Sequence, residues 1–198
     1  MFDGPVGEIV VLRHGQTEWS RTGQHTGTTD LPLLPEGEDQ ARGLRAALGG
    51  REFVEVRVSP LQRARRTAEL AGLATTAVDP DLAEIDYGGY EGRTTAEISA
   101  ELGREWSVWW DGTVPGSSPG ETLAEVGQRV DRVLDRARAR LADGDVALVA
   151  HGHVLRALTA RWLGLPPEAG ALFALAAGRY GLLGHEHGRP VLTGWALH

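Results

Sequence analysis

Three short segments hold the residues best suited to chemistry: Arg13 and His14 in "VLRHGQ", Arg63 in "SPLQRARR" and His151 in "VAHGH". Brought together, two arginines and two imidazoles suit a compact dianion, because guanidinium forks donate paired hydrogen bonds to phosphate oxygens. Phosphoryl transfer asks mainly for charge stabilisation and in-line positioning, and a neutral imidazole can attack phosphorus and carry the group covalently. His14 is the candidate nucleophile, since neighbouring arginines disfavour its imidazolium form. Gly15 reads as a point where the backbone approaches the substrate closely. A departing alkoxide also needs a proton. Glu84, in the apolar setting "LAEI", is the candidate donor, because burial raises a carboxyl toward the useful range. Asp86 and Glu91, flanked by Tyr and Gly, read as loop-holding or solvated groups.

Each chemical segment must be presented by an element of the fold. Glu8 to Leu12, "FVEVRVS" and "DVALVA" read as strands that end just before "RHG", "SPLQR" and "HGH". Helical patterns alternate with them. One follows Pro35 and Gly37 and places Ala41, Leu44 and Leu48 on one face. Another, "PLQRARRTAELAG", opens with proline and closes with glycine. A shorter helix is expected around Ala96 to Leu102, the longest from near Glu121 to Leu141, and a last one in "HGHVLRALTARWLG". The tail from Arg179 suggests two strands joined at His187-Gly188. Alternating strands and helices predict an α/β three-layer sandwich, a mainly parallel sheet with helices on both faces. Ligands of such sheets bind beyond the carboxyl ends of the strands, where Arg13, His14, Arg63 and His151 would converge. A Gly/Thr-rich loop is expected after the first strand. The stretch "WSVWWDGTVPGSSPGE" reads as an irregular excursion, with Trp106, Trp109 and Trp110 packing a lid.

Composition narrows the chemistry further. The 198 residues, 41% hydrophobic and 24% charged, describe one domain (1–198) of a globular protein, with a lid or small subdomain over roughly 87–120. There is no cysteine, which excludes disulfides, thiolate metal sites and cysteine nucleophiles. All 20 basic residues are arginine, which excludes a Schiff base and a Walker-type lysine. The net charge of −7 argues against nucleic acid as a partner. The opening "MFDGPVGEIVVL" carries an acid where a secretory leader carries bases, and its apolar run has only the length of a strand. A cytoplasmic location without membrane association is therefore expected. If the chain assembles, a symmetric homodimer is the expected form.

In order and approximate spacing, "LRHGQTEWS", "SPLQRARRTA", "LAEIDYGGYEG" and "VAHGH" resemble the histidine phosphatase superfamily, also called phosphoglycerate mutase-like. The resemblance runs from Ile9 to about Trp162. It implies an α/β sandwich and a metal-free reaction in which His14 is phosphorylated. Arg13, Arg63 and His151 would bind the phosphoryl group, and Glu84 would be the proton donor. Several features depart from the mutase pattern. Ser20 stands where mutases usually have asparagine, Ile85 and Thr95 where they carry an arginine and a lysine for the substrate's second charged end, and "REWSVWWDG" replaces an insertion with paired arginines. Arg104 is the nearest substitute. A metal-independent phosphatase of small phosphorylated metabolites is thus expected. A bisphosphoglycerate-dependent mutase and a non-catalytic phosphate-binding module are the alternatives.

"RHGQTEWSRTGQHTGTTDLPL", "EIDYGGYEG" and "HGHVLRALTARWLGL" are similar to a branch with actinobacterial acid phosphatases and fungal sedoheptulose-1,7-bisphosphatase. That similarity implies that Ser20, Thr26 and Gly27 line the substrate pocket, with His25 and His153 nearby. No cofactor is implied. Read instead as metal ligands, the "HGH" and "HEH" pairs would need alternate strand positions on one face. His185 and His187 flank the expected hairpin and have no carboxylate cluster around them, so a surface or turn role is expected for them.

Overall fold

Apolar runs become strands, and the two central ones are buried on both faces. In the computed structural model, which describes residues 7–113 and 119–198, β1 (Ile9–Arg13), β2 (Phe53–Val58), β3 (Ala77–Val78) and β4 (Asp145–Ala150) pair in parallel in the order β3-β2-β4-β1. The hairpin of β5 (Tyr180–Glu186) and β6 (Arg189–Leu197) extends the sheet antiparallel beyond β1. The sheet is therefore mixed, with six strands in the order β3-β2-β4-β1-β5-β6. His187 and Gly188 turn the hairpin with φ of 50° and 74°, the left-handed pair that matches the twist of a two-residue connection. The first six residues and residues 114–118, the latter within the segment expected to form a lid, lie outside the described residues.

Alternation along β1 and β4 assigns their side chains to two cores. Ile9 and Val11 pack with Val146, Leu148 and Ala150 under one helical layer, while Val10 and Leu12 pack with Ala147 and Val149 under the other. The second layer is α2 (Pro35–Ala47) and α3 (Gln62–Leu70), which contribute Leu44, Ala64 and Ala68. The first layer is α6 (Leu123–Arg138) and α7 (Gly152–Trp162), joined by α4 (Thr95–Leu102) and α5 (Val108–Asp111). Complete burial of β1 from Ile9 to Leu12 stabilises by about 1.5–3 kcal/mol per side chain. The strand whose end carries Arg13 and His14 is thereby fixed on both faces. Trp106 and Trp109 enter the first core, whereas Trp110 is 72% exposed. No helix among the described residues is long and apolar enough to cross a membrane.

Local signals explain several boundaries that differ from the sequence expectation. The stretch expected to be a Gly/Thr-rich loop contains α1 (Glu18–Thr22). Thr17 and Ser20 cap it reciprocally, and Gly23 closes it at φ 82°. The longest helix begins at Leu123 rather than near Glu121, because Thr122 and Glu125 form a capping box there. Pro60 is not in the first turn of α3, which starts at Gln62 after the N-cap Leu61. Gly15 also needs a different account. A Cβ at Gly15 would lie 2.1 Å from the carbonyl oxygen of Gly37, and one at Gly37 2.1 Å from that of Gln16. The missing side chains therefore let the loop after β1 press against the start of α2.

Candidate active site

The order β2-β4-β1 aligns the residues just past the carboxyl ends of these strands. Ser59 leaves β2, His151 leaves β4 and His14 leaves β1. The backbone continues the ladder one step further, with Ser59 N–H donating to Val149 O and His14 N–H to Ala150 O, both at 3.0 Å. The imidazoles of His14 and His151 come to 5.1 Å between ring centroids. His14 Nδ1 lies 2.7 Å from Gly15 O. A carbonyl only accepts, so Nδ1 carries the hydrogen and Nε2 keeps its lone pair. Burial, with Arg13 and then Arg63 nearby, holds the His14 pKa well below the ordinary imidazole value.

Arg13 and Arg63 are held in different ways. Arg13 donates from Nη1 to Leu175 O at 2.5 Å, and its Nε has no partner among the described residues. Gly152 makes room for it, since a Cβ there would lie 3.0 Å from the guanidinium carbon. Arg63 is fully buried. It donates to Thr29 O at 2.9 Å, to Thr26 O and Gly27 O at 3.1 Å each, and through Nε to His151 Nδ1 at 3.0 Å. These protein acceptors leave Arg63 a single N–H, on Nη1. His151 is likewise fully buried, and burial followed by the charge of Arg63 holds its pKa well below the ordinary value.

Glu84 meets more than the apolar surroundings that "LAEI" suggests. Its Oε1 accepts from Val154 N–H at 2.8 Å and Ile85 N–H at 3.0 Å, and Oε2 accepts from His153 N–H at 3.0 Å. Two of these donors belong to the first turn of α7, whose N–H groups have no partner within the helix. Oε1 thus has both lone pairs engaged, while Oε2 keeps one. Arg13, His14, Ser20, His25, Thr26 and Glu84 line one cleft of about 190 Å³, together with Tyr87 and His153. A larger groove of about 680 Å³, beside Leu33, Arg65 and Val78, contains none of these groups. Size alone does not mark the site.

Away from Arg13 the cleft is neutral and aromatic. Tyr87 O–H lies 2.6 Å from His153 Nδ1, and His25 Nε2 lies 3.2 Å from the hydroxyl of Thr95. His25 stacks near Tyr87 at 4.8 Å and meets Trp106 edge-on at 5.3 Å; His153 lies 5.2 Å from Trp109. Burial pushes the His25 pKa down to about 4 and that of His153 well below the ordinary value, the latter with help from Arg156. Tyr87, which the sequence reading did not single out, is buried at 1% exposure with its pKa raised by burial and then by Glu84. Its place directly after the Glu84 loop was the signal available.

The remaining expected residues have other partners. Gly27 is not on the cleft wall. A Cβ there would lie 2.3 Å from Ile85 O, and its N–H donates to the Glu91 carboxylate at 2.9 Å, which also takes Thr29 N–H at 3.0 Å. Asp86 accepts from Gly88 N–H at 2.8 Å. Ile85 is wholly in the core, and Arg104 is 2.5 Å from Asp111 on the outside of the molecule. The "HGH" pair does not alternate on a strand. His151 is the N-cap of α7 and His153 lies in its first turn, so the geometric premise of a shared strand face for metal binding fails.

Residues 9–198 match the family described as histidine phosphatase superfamily, branch 1. The chain belongs to that superfamily. An acid phosphatase of Mycobacterium tuberculosis is 41% identical over 182 residues, 91% of this chain and 87% of that protein. A sedoheptulose 1,7-bisphosphatase of Saccharomyces cerevisiae is 37% identical over 183 residues, 79% of this chain and 67% of that one. A solved structure of an open reading frame product of M. tuberculosis superposes at a TM-score of 0.91 with 38% identity, covering 96% of this chain and 97% of that one. The fold is that of these phosphoglycerate mutase-like phosphatases, and the chain is of a phosphatase-type enzyme family.

Proposed function

We propose that the chain is a metal-independent phosphomonoesterase of small phosphorylated metabolites, acting through a phosphohistidine on His14. The observation that carries this reading is the Nδ1–H of His14 tied to Gly15 O, which leaves a neutral Nε2, under the charges of Arg13 and the buried Arg63, in the same cleft as Arg13 and Glu84. Nε2 would attack phosphorus as the bond to the leaving oxygen breaks, and Glu84, from Oε2, would hand that oxygen its proton. Glu84 would then take a proton from water, whose oxygen attacks the phosphohistidine. Inorganic phosphate leaves and Nε2 is restored. Arg13 would bind the phosphoryl oxygens with its uncommitted donors. Arg63 would add its charge and remaining N–H while holding His151 and the 26–29 loop.

The distal wall supports water as acceptor rather than a retained bisphosphorylated intermediate. His25, Thr95, Tyr87 and His153 are neutral donors and acceptors, and Arg104 is already paired on the exterior. Ser20 and Thr26 would meet the body of the substrate, with Trp106 and Trp109 behind the imidazoles as part of a cover built from the described part of residues 87–120. The test is phosphate release from sugar mono- and bisphosphates, phosphoglycerates and p-nitrophenyl phosphate in excess chelator, by wild type and His14→Ala. Release by wild type and a loss of at least about 10⁴-fold in the variant is the expected result. Isomerisation of phosphoglycerate only with a bisphosphoglycerate primer would establish the mutase instead. Tight phosphate binding without turnover of any ester would leave a binding module.

A further inference from the structure

We propose that Ser59 is a positioning residue that, together with Arg63, fixes His151 as a neutral imidazole with its hydrogen on Nε2. The inference rests on the reading of His14 as the nucleophile, beside which the His151 ring packs at 5.1 Å, and the geometry stands apart from it. Ser59 Oγ lies 2.7 Å from His151 Nε2, while Arg63 Nε lies 3.0 Å from Nδ1 on the other side of the ring. An arginine Nε can only donate, so Nδ1 must accept. The single hydrogen of a neutral His151 is then on Nε2, and Ser59 Oγ accepts it.

Ser59 is itself immobilised. Its main-chain N–H donates to Val149 O at 3.0 Å, and its Oγ also accepts from Leu61 N–H at 3.3 Å, at the entry to α3. All three side chains, Ser59, Arg63 and His151, are completely buried. Gripped at both nitrogens, the ring cannot flip about its side-chain torsion without losing two buried hydrogen bonds. A protonated His151 would have to turn an N–H toward the arginine. The pair therefore holds the ring beside His14 in one tautomer and one orientation, with its only N–H engaged by Ser59.

The experiment combines kinetics with nitrogen-resolved NMR of the histidine rings in the full chain. In wild type at neutral pH, His151 is expected as the Nε2–H tautomer with Nδ1 unprotonated. An Nδ1–H tautomer or an imidazolium would overturn the proposal whatever the activity. Ser59→Ala is expected to lower kcat about tenfold, the scale of one buried hydrogen bond, with KM nearly unchanged. Its His151 Nε2–H should exchange faster with water. Ser59→Thr, which keeps the hydroxyl, should recover most of kcat. Unchanged kcat in a folded Ser59→Ala, or a loss that only tracks the unfolded fraction, would contradict the assignment. Should the threonine variant fail to fold, the wild-type tautomer and the alanine kinetics still decide. A wild type with the expected tautomer and no phosphatase activity would refute the functional reading while leaving the lock in place.

Discussion

Arg13, His14, Ser59 and His151 stand at the ends of three adjacent parallel strands, whereas His25, Thr95 and Tyr87 are carried by loops and the start of a short helix. The two halves of the cleft also differ in how their polar atoms are engaged. At the strand ends each ring is fixed by main-chain or buried partners: Gly15 O for His14, and Ser59 with Arg63 for His151. On the distal side the imidazoles lean on aromatic rings and on the hydroxyls of Tyr87 and Thr95. The contrast teaches where geometry is demanded. Charge on a transferring phosphoryl group is stabilised only by donors fixed to within a fraction of an ångström, while the rest of a small substrate needs a surface of suitable polarity.

Substitutions can break this contrast, and after the loss of His14 itself the largest effect should fall on Glu84, which links the two halves. Glu84→Gln removes the exchangeable proton and should reduce turnover of alkyl phosphates by about 10³-fold, within the usual range for general acid–base groups. p-Nitrophenyl phosphate, whose leaving group needs little protonation, should suffer far less. Equal losses on both substrates would remove Glu84 from the acid role. Arg63→Lys keeps the charge, yet it gives up the fork that reaches Thr26, Gly27, Thr29 and His151 together. A loss of about 10²-fold in kcat/KM is expected, and near-normal turnover in folded protein would place Arg63 outside the machinery. His25→Ala on the distal side should alter KM by only a few-fold and spare kcat; a large kcat effect would erase the proposed division of the cleft.

Acid stability sharpens the comparison, because both halves contain imidazoles that resist protonation. His14, His25, His151 and His153 are all lowered from 6.5 by burial, His25 to about 4. Above that ordinary value native and unfolded chains bind equal protons at these sites, and stability is unaffected. As pH falls below 6.5 the unfolded chain takes protons that the native one refuses. Stability should therefore fall with decreasing pH, by up to about 1.4 kcal/mol per pH unit for each histidine. Denaturant titrations between pH 7 and 4 check this, and a flat profile would contradict the burial of His14, His25 and His151. The same shift keeps His14 neutral, so the acid limb of kcat/KM should lie well below pH 6.5.

The strand-end chemistry was the more legible half in the sequence, for a physical reason. β1 and β4 are continuous β-branched or aliphatic runs stopped by "RHG" and "HGH", so pattern and chemistry share a boundary. Even there the packing of Gly15 on Gly37 could not be read, because Gly37 is 22 residues away along a loop and helix and close only in space. Ser59 was missed although it follows β2 at the same rim. A hydroxyl next to a proline reads as a turn residue until His151 is placed against it. α1 was overlooked because five residues among Gly and Thr carry no periodicity, and β3, with two, carries none either. The distal half depended on tertiary contacts. Only folding shows that Gly27 packs against Ile85, that Glu91 holds its N–H and that Tyr87 meets His153.

The central claim is tested most directly by trapping the covalent intermediate. Wild-type protein turning over a ³²P-labelled phosphomonoester in excess chelator would be quenched in alkali during steady state and digested. The account predicts an acid-labile, alkali-stable label on the peptide that carries His14, absent from His14→Ala. Steady turnover with label at another residue, or undiminished turnover by His14→Ala, would contradict it.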